Sequence, residues 1–174
     1  GSGNLKKARF RNFRFGTRLS ITNNGIFGLV FRSNETKGSY AFLWVSPGFP
    51  IWQQLAGQRH PIFGNYRQGA YLLRIQQGKA PAVLAYNPFV KLKTSRRIYS
   101  TISFNPNHLE ILAEESRIEA KLDGRNIFIV NDNAIDEGSI GLYAVGTGVT
   151  GGRPQTYFSN INLRVDLGRG LYNI

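Results

Sequence analysis

The residues that could cleave a sugar chain are few and badly spaced. Glu110 and Glu114 fall at i and i+4 on one face of an expected strand. That places them roughly 13 Å apart, wider than the ~5–9.5 Å that two carboxylates sharing a glycosidic bond require. Each also meets a basic residue across the expected ladder, Glu114 with Arg117 and Glu110 with Lys121. Glu114 and Glu115 straddle a turn and offer no second pairing. His60 and His108 lie far apart, no G-x-S-x-G elbow occurs, and with no cysteine there is no thiolate nucleophile or thiolate metal site. The pattern argues for a non-catalytic chain.

Recognition chemistry is better represented. Sugars present C–H faces that stack on Trp or Tyr, and hydroxyls that planar amides and guanidinium groups can bind. Trp52, Gln53, Arg59, His60, Tyr66 and Arg67 bring that set together in one long segment, residues 46–69. Connections longer than about 12–15 residues in a compact domain are usually functional or disordered. Lys91, Lys93, Arg96 and Arg97 add a basic cluster after Pro88. Arginine contributes a bidentate fork for carboxylate or sulfate.

Oxygen-rich Asp132, Asp136 and Glu137, near Asn133, form a weak calcium candidate whose spacing is not that of an EF-hand. No other cofactor is expected. Lys6, Lys7, Arg9, Arg11, Arg14 and Arg18 form a second basic run, interleaved with Phe10, Phe13 and Phe15. Period-two alternation puts Arg11, Phe13 and Phe15 on one face and Asn12, Arg14 and Gly16 on the other, so the aromatics read as core rather than as base-stacking platforms, and no nucleic-acid-binding motif is present. Nucleic acid is therefore a minor alternative partner.

The elements that must carry these groups are strands. In residues 117–122, Ile118, Ala120 and Leu122 alternate with Arg117, Glu119 and Lys121, the period of a half-buried strand. Asp123-Gly124 is a type I′ hairpin signal. Upstream, a two-residue turn at Glu115-Ser116 pairs Ala113 with Ile118, Ile111 with Ala120 and Leu109 with Leu122. Continued past Asp123-Gly124, the same register sets Ile127 against Ala120 and Ile129 against Ile118. Phe128 and Val130 then point away from the core. Strands are expected at 9–21, 25–32, 40–45, 70–76, 82–86, 98–104, 108–114, 117–122, 126–130, 138–144 and 156–165. No long amphipathic helix and no internal repeat occur. The expectation is an all-β, two-sheet antiparallel β-sandwich of the jelly-roll type.

The 174 residues suit one domain able to bury a core. Gly1-Ser2-Gly3 reads as an expression remnant, residues 4–165 as the domain, and residues 166–174 as a tail or linker. No apolar run is long enough for a membrane span. The net charge of +12 is uneven: residues 1–108 carry 16 Lys/Arg and one acidic residue, residues 109–174 carry 6 Lys/Arg and 9 Asp/Glu. Such a field favours anionic partners.

The order of short motifs resembles a known superfamily. Gly25-Ile26-Phe27-Gly28-Leu29-Val30-Phe31-Arg32 precedes Tyr40-Ala41-Phe42. Leu122-Asp123-Gly124-Arg125, Val130-Asn131-Asp132, Gly138-Ser139-Ile140-Gly141-Leu142-Tyr143 and Phe158-Ser159-Asn160-Ile161 follow. This resembles the concanavalin A-like lectin/glucanase jelly roll, most of all its laminin G-like branch, over residues 26–165. The resemblance implies a binding fold. Gly138 and Gly141 would permit a turn and close strand approach, Asp132 and Asn160 would bond backbone at strand ends, and Phe158 and Ile161 would pack between sheets. In some laminin G-like domains a calcium sits at the loop rim, which is the context for the acidic candidates.

The combined expectation is a recognition module for a glycan or an anionic cell-surface polysaccharide, within a larger extracellular or cell-envelope protein. A protein-adhesion module, using an outward Phe128 and Val130, is the alternative from another class.

Overall fold

The computed structural model describes residues 8–22, 24–46, 67–146, 156–166 and 171–173. All regular structure among them is β. The strands are β1 (Phe13–Ile21), β2 (Gly25–Asn34), β3 (Gly38–Val45), β4 (Gly69–Ile75), β5 (Ala82–Asn87), β6 (Arg96–Ile98), β7 (Thr101–Ser103), β8 (Asn107–Glu114), β9 (Arg117–Leu122), β10 (Arg125–Asn131), β11 (Ser139–Gly146), β12 (Thr156–Asp166) and β13 (Leu171–Asn173). They form a six-stranded sheet, β10-β9-β8-β1-β12-β13, a five-stranded sheet, β11-β2-β3-β4-β5, and a two-stranded ribbon, β6-β7. No described helix is long and apolar enough to cross a membrane. The expected antiparallel β-sandwich is the fold found.

The core lies between the two large sheets because each contributes one apolar face. Phe13, Phe15, Leu19 and Ile21 of β1 meet Phe27, Leu29 and Phe31 of β2 and Tyr40, Phe42 and Trp44 of β3. The run Tyr40–Val45 is buried throughout, as expected of a strand covered on both faces. Its alternate residues Ala41, Leu43 and Val45 join a second apolar cluster with Ile26, Tyr71 and Leu73.

The β8–β9 hairpin has the expected register, with Leu109 opposite Leu122, Ile111 opposite Ala120 and Ala113 opposite Ile118. Asp123 (φ 49°) and Gly124 (φ 79°) make the type I′ turn from β9 into β10. On the outer face of the β8–β9 hairpin Glu114 lies opposite Arg117 and Glu110 opposite Lys121, as expected, but the side-chain contacts run elsewhere. Arg117 donates to Glu119 two residues along its own strand, from Nη2 at 2.5 Å, and Glu110 turns to Arg14 of β1.

The β9–β10 register corrects the sequence expectation. A bulge between Asn126 and Phe128 sets Phe128 against Ala120 and Val130 against Ile118. Phe128 is therefore buried in the core, edge-on to Phe42, while Ile129 is 49% exposed. One extra residue reverses every later side chain because the strand period is two. The outward Phe128 and Val130 that an adhesion surface would use do not exist. Residues 98–104, expected as one strand, instead hold part of the ribbon hairpin, which turns at Tyr99-Ser100. Within residues 166–174, Leu171–Asn173 pairs with the edge of β12.

Arg32, at the end of β2, ties the layers together. It is fully buried, with φ 47°. Its guanidinium donates to the carbonyls of Arg11 (2.7 Å), Glu115 (2.7 Å) and Ile135 (3.2 Å). Burial lowers its pKa from the ordinary arginine value. Beside it, the Tyr40 hydroxyl donates to Asp132 and accepts from the Ile135 N–H. Burial first, then that bond to Asp132, pushes the Tyr40 pKa well up. Gly138 passes so close to Ser33 that a Cβ would lie 2.4 Å from its nitrogen, the expected close approach. Gly141 has open space around it and makes none.

Candidate functional site

The outer face of the six-stranded sheet carries a polar hollow of about 290 Å³, lined by Arg14, Gly16, Arg18, His108, Glu110, Asn160, Asn162 and Arg164. Three strands build it by the same rule. On β1, Phe13, Phe15, Thr17 and Leu19 turn inward and are buried, so Arg14, Gly16 and Arg18 turn outward. On β8, Leu109 and Ile111 turn inward, leaving His108 and Glu110 outside. On β12, Leu163 packs on the core, leaving Asn162 and Arg164 outside.

Cross-strand pairing arranges these groups in rows. Gly16 lies between Glu110 on β8 and Asn162 on β12. Arg18 lies between His108 and Ser159, and Arg14 is level with Arg164. The central position of the middle row thus has no side chain, and that absence makes the hollow. A Cβ on Gly16 would meet His108 Nε2 at 3.4 Å and the Leu109 carbonyl at 3.7 Å. The two arginine rows stand roughly 13 Å apart along β1.

A bulge shapes the β12 wall. Between Gly16 and Arg18 the register slips from Asn162 to Ser159, and Asn160 takes φ 50°. Thr17 Oγ1 donates to the Ser159 carbonyl there (2.9 Å). The slip brings Asn160 onto the hollow beside Asn162. Asn160 is therefore a lining residue in mid-strand, not a strand-end cap, and Ile161 is 58% exposed rather than packed between sheets. Phe158 does pack against the core.

Electrostatically the hollow is cationic. Among the described residues Glu110 is its one lining carboxylate; Arg14 Nε stands 3.4 Å and His108 Nε2 3.9 Å from it. The Arg14 contact is not a hydrogen bond, and Arg14 Nε is buried without a partner. Among the described residues neither Arg18 nor Arg164 has an ion-pair partner. Glu119, on the next strand, is 8% exposed and held by Arg117.

The sequence-derived candidates divide into three groups. Trp52, Gln53, Arg59, His60 and Tyr66 lie outside the described residues. Arg67 is exposed, and its carbonyl accepts from the Tyr71 hydroxyl (2.5 Å). Lys91 and Lys93 are exposed on the run before β6, Lys93 standing 3.4 Å from Asp123. Arg96 and Arg97 are exposed on β6. The acidic candidates do not converge. Asp132 is engaged by Tyr40, Arg74 and the Ala134 N–H. Asp136 pairs with Lys37 at 2.8 Å, and Glu137 with Arg9 at 3.5 Å. Lys37 is the main reason the Asp136 carboxyl is held below its ordinary value. Among the described residues no group of three potential metal ligands forms.

The hollow was not among the sequence-derived candidates. Its signal was present in three polar-alternate patterns, Arg14-x-Gly16-x-Arg18, His108-x-Glu110 and Asn160-x-Asn162-x-Arg164. Each alone reads as a solvated strand face, and only pairing puts the three side by side.

No protein-family model matches the chain, and no curated protein sequence does. Among solved structures it is similar to the carbohydrate binding module CBM66 from Bacillus subtilis, with a TM-score of 0.56 and 21% identity over 90% of this chain and 76% of that one. It is also similar to a candidate glycosyl hydrolase from Parabacteroides distasonis ATCC 8503, with a TM-score of 0.53 and 12% identity over 90% of this chain and 72% of that one. These likenesses are of fold.

Proposed function

We propose that the chain is a carbohydrate-recognition module whose outer-sheet hollow binds an acidic glycan. The observation that carries this reading is the composition of the hollow: three arginines, two asparagines and a histidine around a floor without a side chain, with one carboxylate. Arginine forks suit carboxylate or sulfate groups, and the asparagine amides suit hydroxyls. The net charge of +12 would draw such a polymer in. The fold likeness to a carbohydrate binding module supports the same class of ligand.

A binding role suits the hollow better than hydrolysis. Most glycoside hydrolysis uses two carboxylates flanking the bond, and among the described residues of the lining Glu110 has no second carboxylate beside it. In its setting such a module would serve a larger extracellular or cell-envelope protein.

The test is a glycan array read at low and high salt, with heparin and a DNA oligomer included. Selective binding to one acidic glycan family that survives salt, and that is lost in Arg18→Ala, is the expected result. Equal binding to every polyanion, lost in salt, would reduce the site to unspecific charge. A blank array would end the glycan reading.

A further inference from the structure

The β6–β7 ribbon reaches β12 through Phe104 and Tyr157, just beyond the hollow, and is unlike the rest of the molecule. All three residues of β6 are exposed. Ile98 is 55% exposed, Phe104 57% and Tyr99, at the tip, 96%. A two-stranded ribbon with so little burial is marginal by itself. It is anchored at its base, where the Ser95 N–H donates to the Ile21 carbonyl (2.7 Å) and the Asn105 N–H to Ser95 Oγ (2.9 Å). Tyr99 also adopts φ 55°, a conformation that favours glycine or asparagine. Neither the exposed ring nor its backbone conformation benefits folding.

The ribbon is aimed at the hollow through one ring contact. Phe104 meets Tyr157 edge-on, with centroids 5.3 Å apart. Tyr157 pairs with Ser20, the outward position after Arg18 on β1, so it stands about 6.8 Å beyond the Arg18–Ser159 pair. Ser20 is only 4% exposed although it points to the outer face. Alternation puts Phe104 on the ribbon face of Ile102, whose cross-strand partner is Arg97. Arg97 therefore shares the face that meets the sheet, and its Nε donates to the Tyr99 carbonyl (3.3 Å). Arg96, opposite Ser103, lies on the other face.

We propose that Tyr157, Phe104, Arg97 and Tyr99 form a second subsite, continuous with the hollow, that follows an acidic polysaccharide along its chain. The proposal rests on the reading of the hollow as a glycan site. Aromatic faces offer stacking for sugar rings, and Arg97, opposite Ile102 on the ribbon, adds a further guanidinium fork for acidic groups. The occupant is a run of several acidic sugars rather than a chain end, because Tyr157 continues the row of Arg14 and Arg18 along β1 and β12 beyond the hollow.

The experiment is calorimetric titration with oligogalacturonates and heparin oligosaccharides of two to eight residues. In the intact chain, affinity for at least one series should rise about tenfold or more between the shortest and longest members, then level off. Arg97→Ala and Tyr157→Ala should remove most of that gain and leave the disaccharide affinity unchanged. Arg96→Ala should stay within about twofold at every length. Tyr99→Gly should weaken long-chain binding with no loss in melting temperature, which separates recognition from misfolding. Affinity independent of length, or equal effects at Arg96 and Arg97, overturns the subsite and leaves the hollow standing. No binding at any length, or disaccharide binding indifferent to Arg18→Ala, overturns the hollow and the subsite together.

Discussion

Arg32 and Arg18 carry the same guanidinium group into opposite surroundings. Arg32 is fully buried, and its N–H groups reach carbonyls from three separate segments, at Arg11, Glu115 and Ile135. Arg18 is exposed on the outer sheet face, beside Arg14 and Arg164, and has no described ion-pair partner. A buried cation persists only where its donors are met, so the Arg32 guanidinium is engaged by the fold itself. The hollow is a surface with donors to spare. Charge counting alone cannot separate the two, since both contribute equally to the net charge; the bonds already made decide which arginine is structural.

The sharpest break of that contrast is Arg32→Leu. It removes the donors to three carbonyls, that of Ile135 buried and those of Arg11 and Glu115 part-buried, so we expect a stability loss of roughly 3 kcal/mol or more in urea denaturation at neutral pH. A loss below about 1 kcal/mol would mean that the niche is not structural. Arg18→Ala and Arg164→Ala should do the reverse. Denaturation should move by no more than about 0.5 kcal/mol, while affinity for the acidic glycan drops about 10- to 100-fold, as expected for a hydrogen bond to a charged group. Melting curves and titrations on the same samples decide this.

Gly16→Leu sharpens the hollow side further. Its Cβ meets only the end of His108 and one carbonyl at ordinary to slightly tight distances. The variant should fold with a near-native melting temperature and lose glycan binding because the floor is filled. Retained binding would move the ligand off the hollow.

The smallest effect belongs to the rim of the Arg32 niche. The Glu115 carboxylate accepts from Asn12 Nδ2 (3.0 Å) and Arg11 Nη2 (2.7 Å), and the Asn12 bond first, then Arg11, holds its pKa below 4.5. A depressed carboxylate contributes stability above its unfolded pKa and loses it as pH falls through the folded value. NMR titration should find the Glu115 carboxyl titrating below 4.5 and moving upward in Asn12→Ala. An unchanged midpoint in that variant would reject Asn12 as the main cause. The stability effect stays small because the pair is solvent-exposed.

Local patterns carried much of the fold. Period-two alternation and the turn at Glu115-Ser116 defined the β8–β9 hairpin to the residue, because side-chain direction and turn geometry are both local properties. They failed where one residue was added: the bulge before Phe128 has no signature beyond four apolar residues in a row, Ile127, Phe128, Ile129 and Val130. Burial of the large phenylalanine against Phe42 decided the register, and that partner comes from another sheet.

The sequence by itself determined the β class, the turns at Glu115-Ser116 and Asp123-Gly124 and the cationic character of the chain, since these follow from residue types and short spacings. Only the tertiary structure decided that β12 returns beside β1, setting Arg164 level with Arg14 across 150 residues of chain. It also decided that Gly16 lies between Glu110 and Asn162 as a floor, and that Phe104 closes on Tyr157. The physical reason is that strand pairing is chosen by the burial of whole sheet faces against each other. The polar residues on the opposite faces are carried along, and their neighbours are set by a choice they do not make.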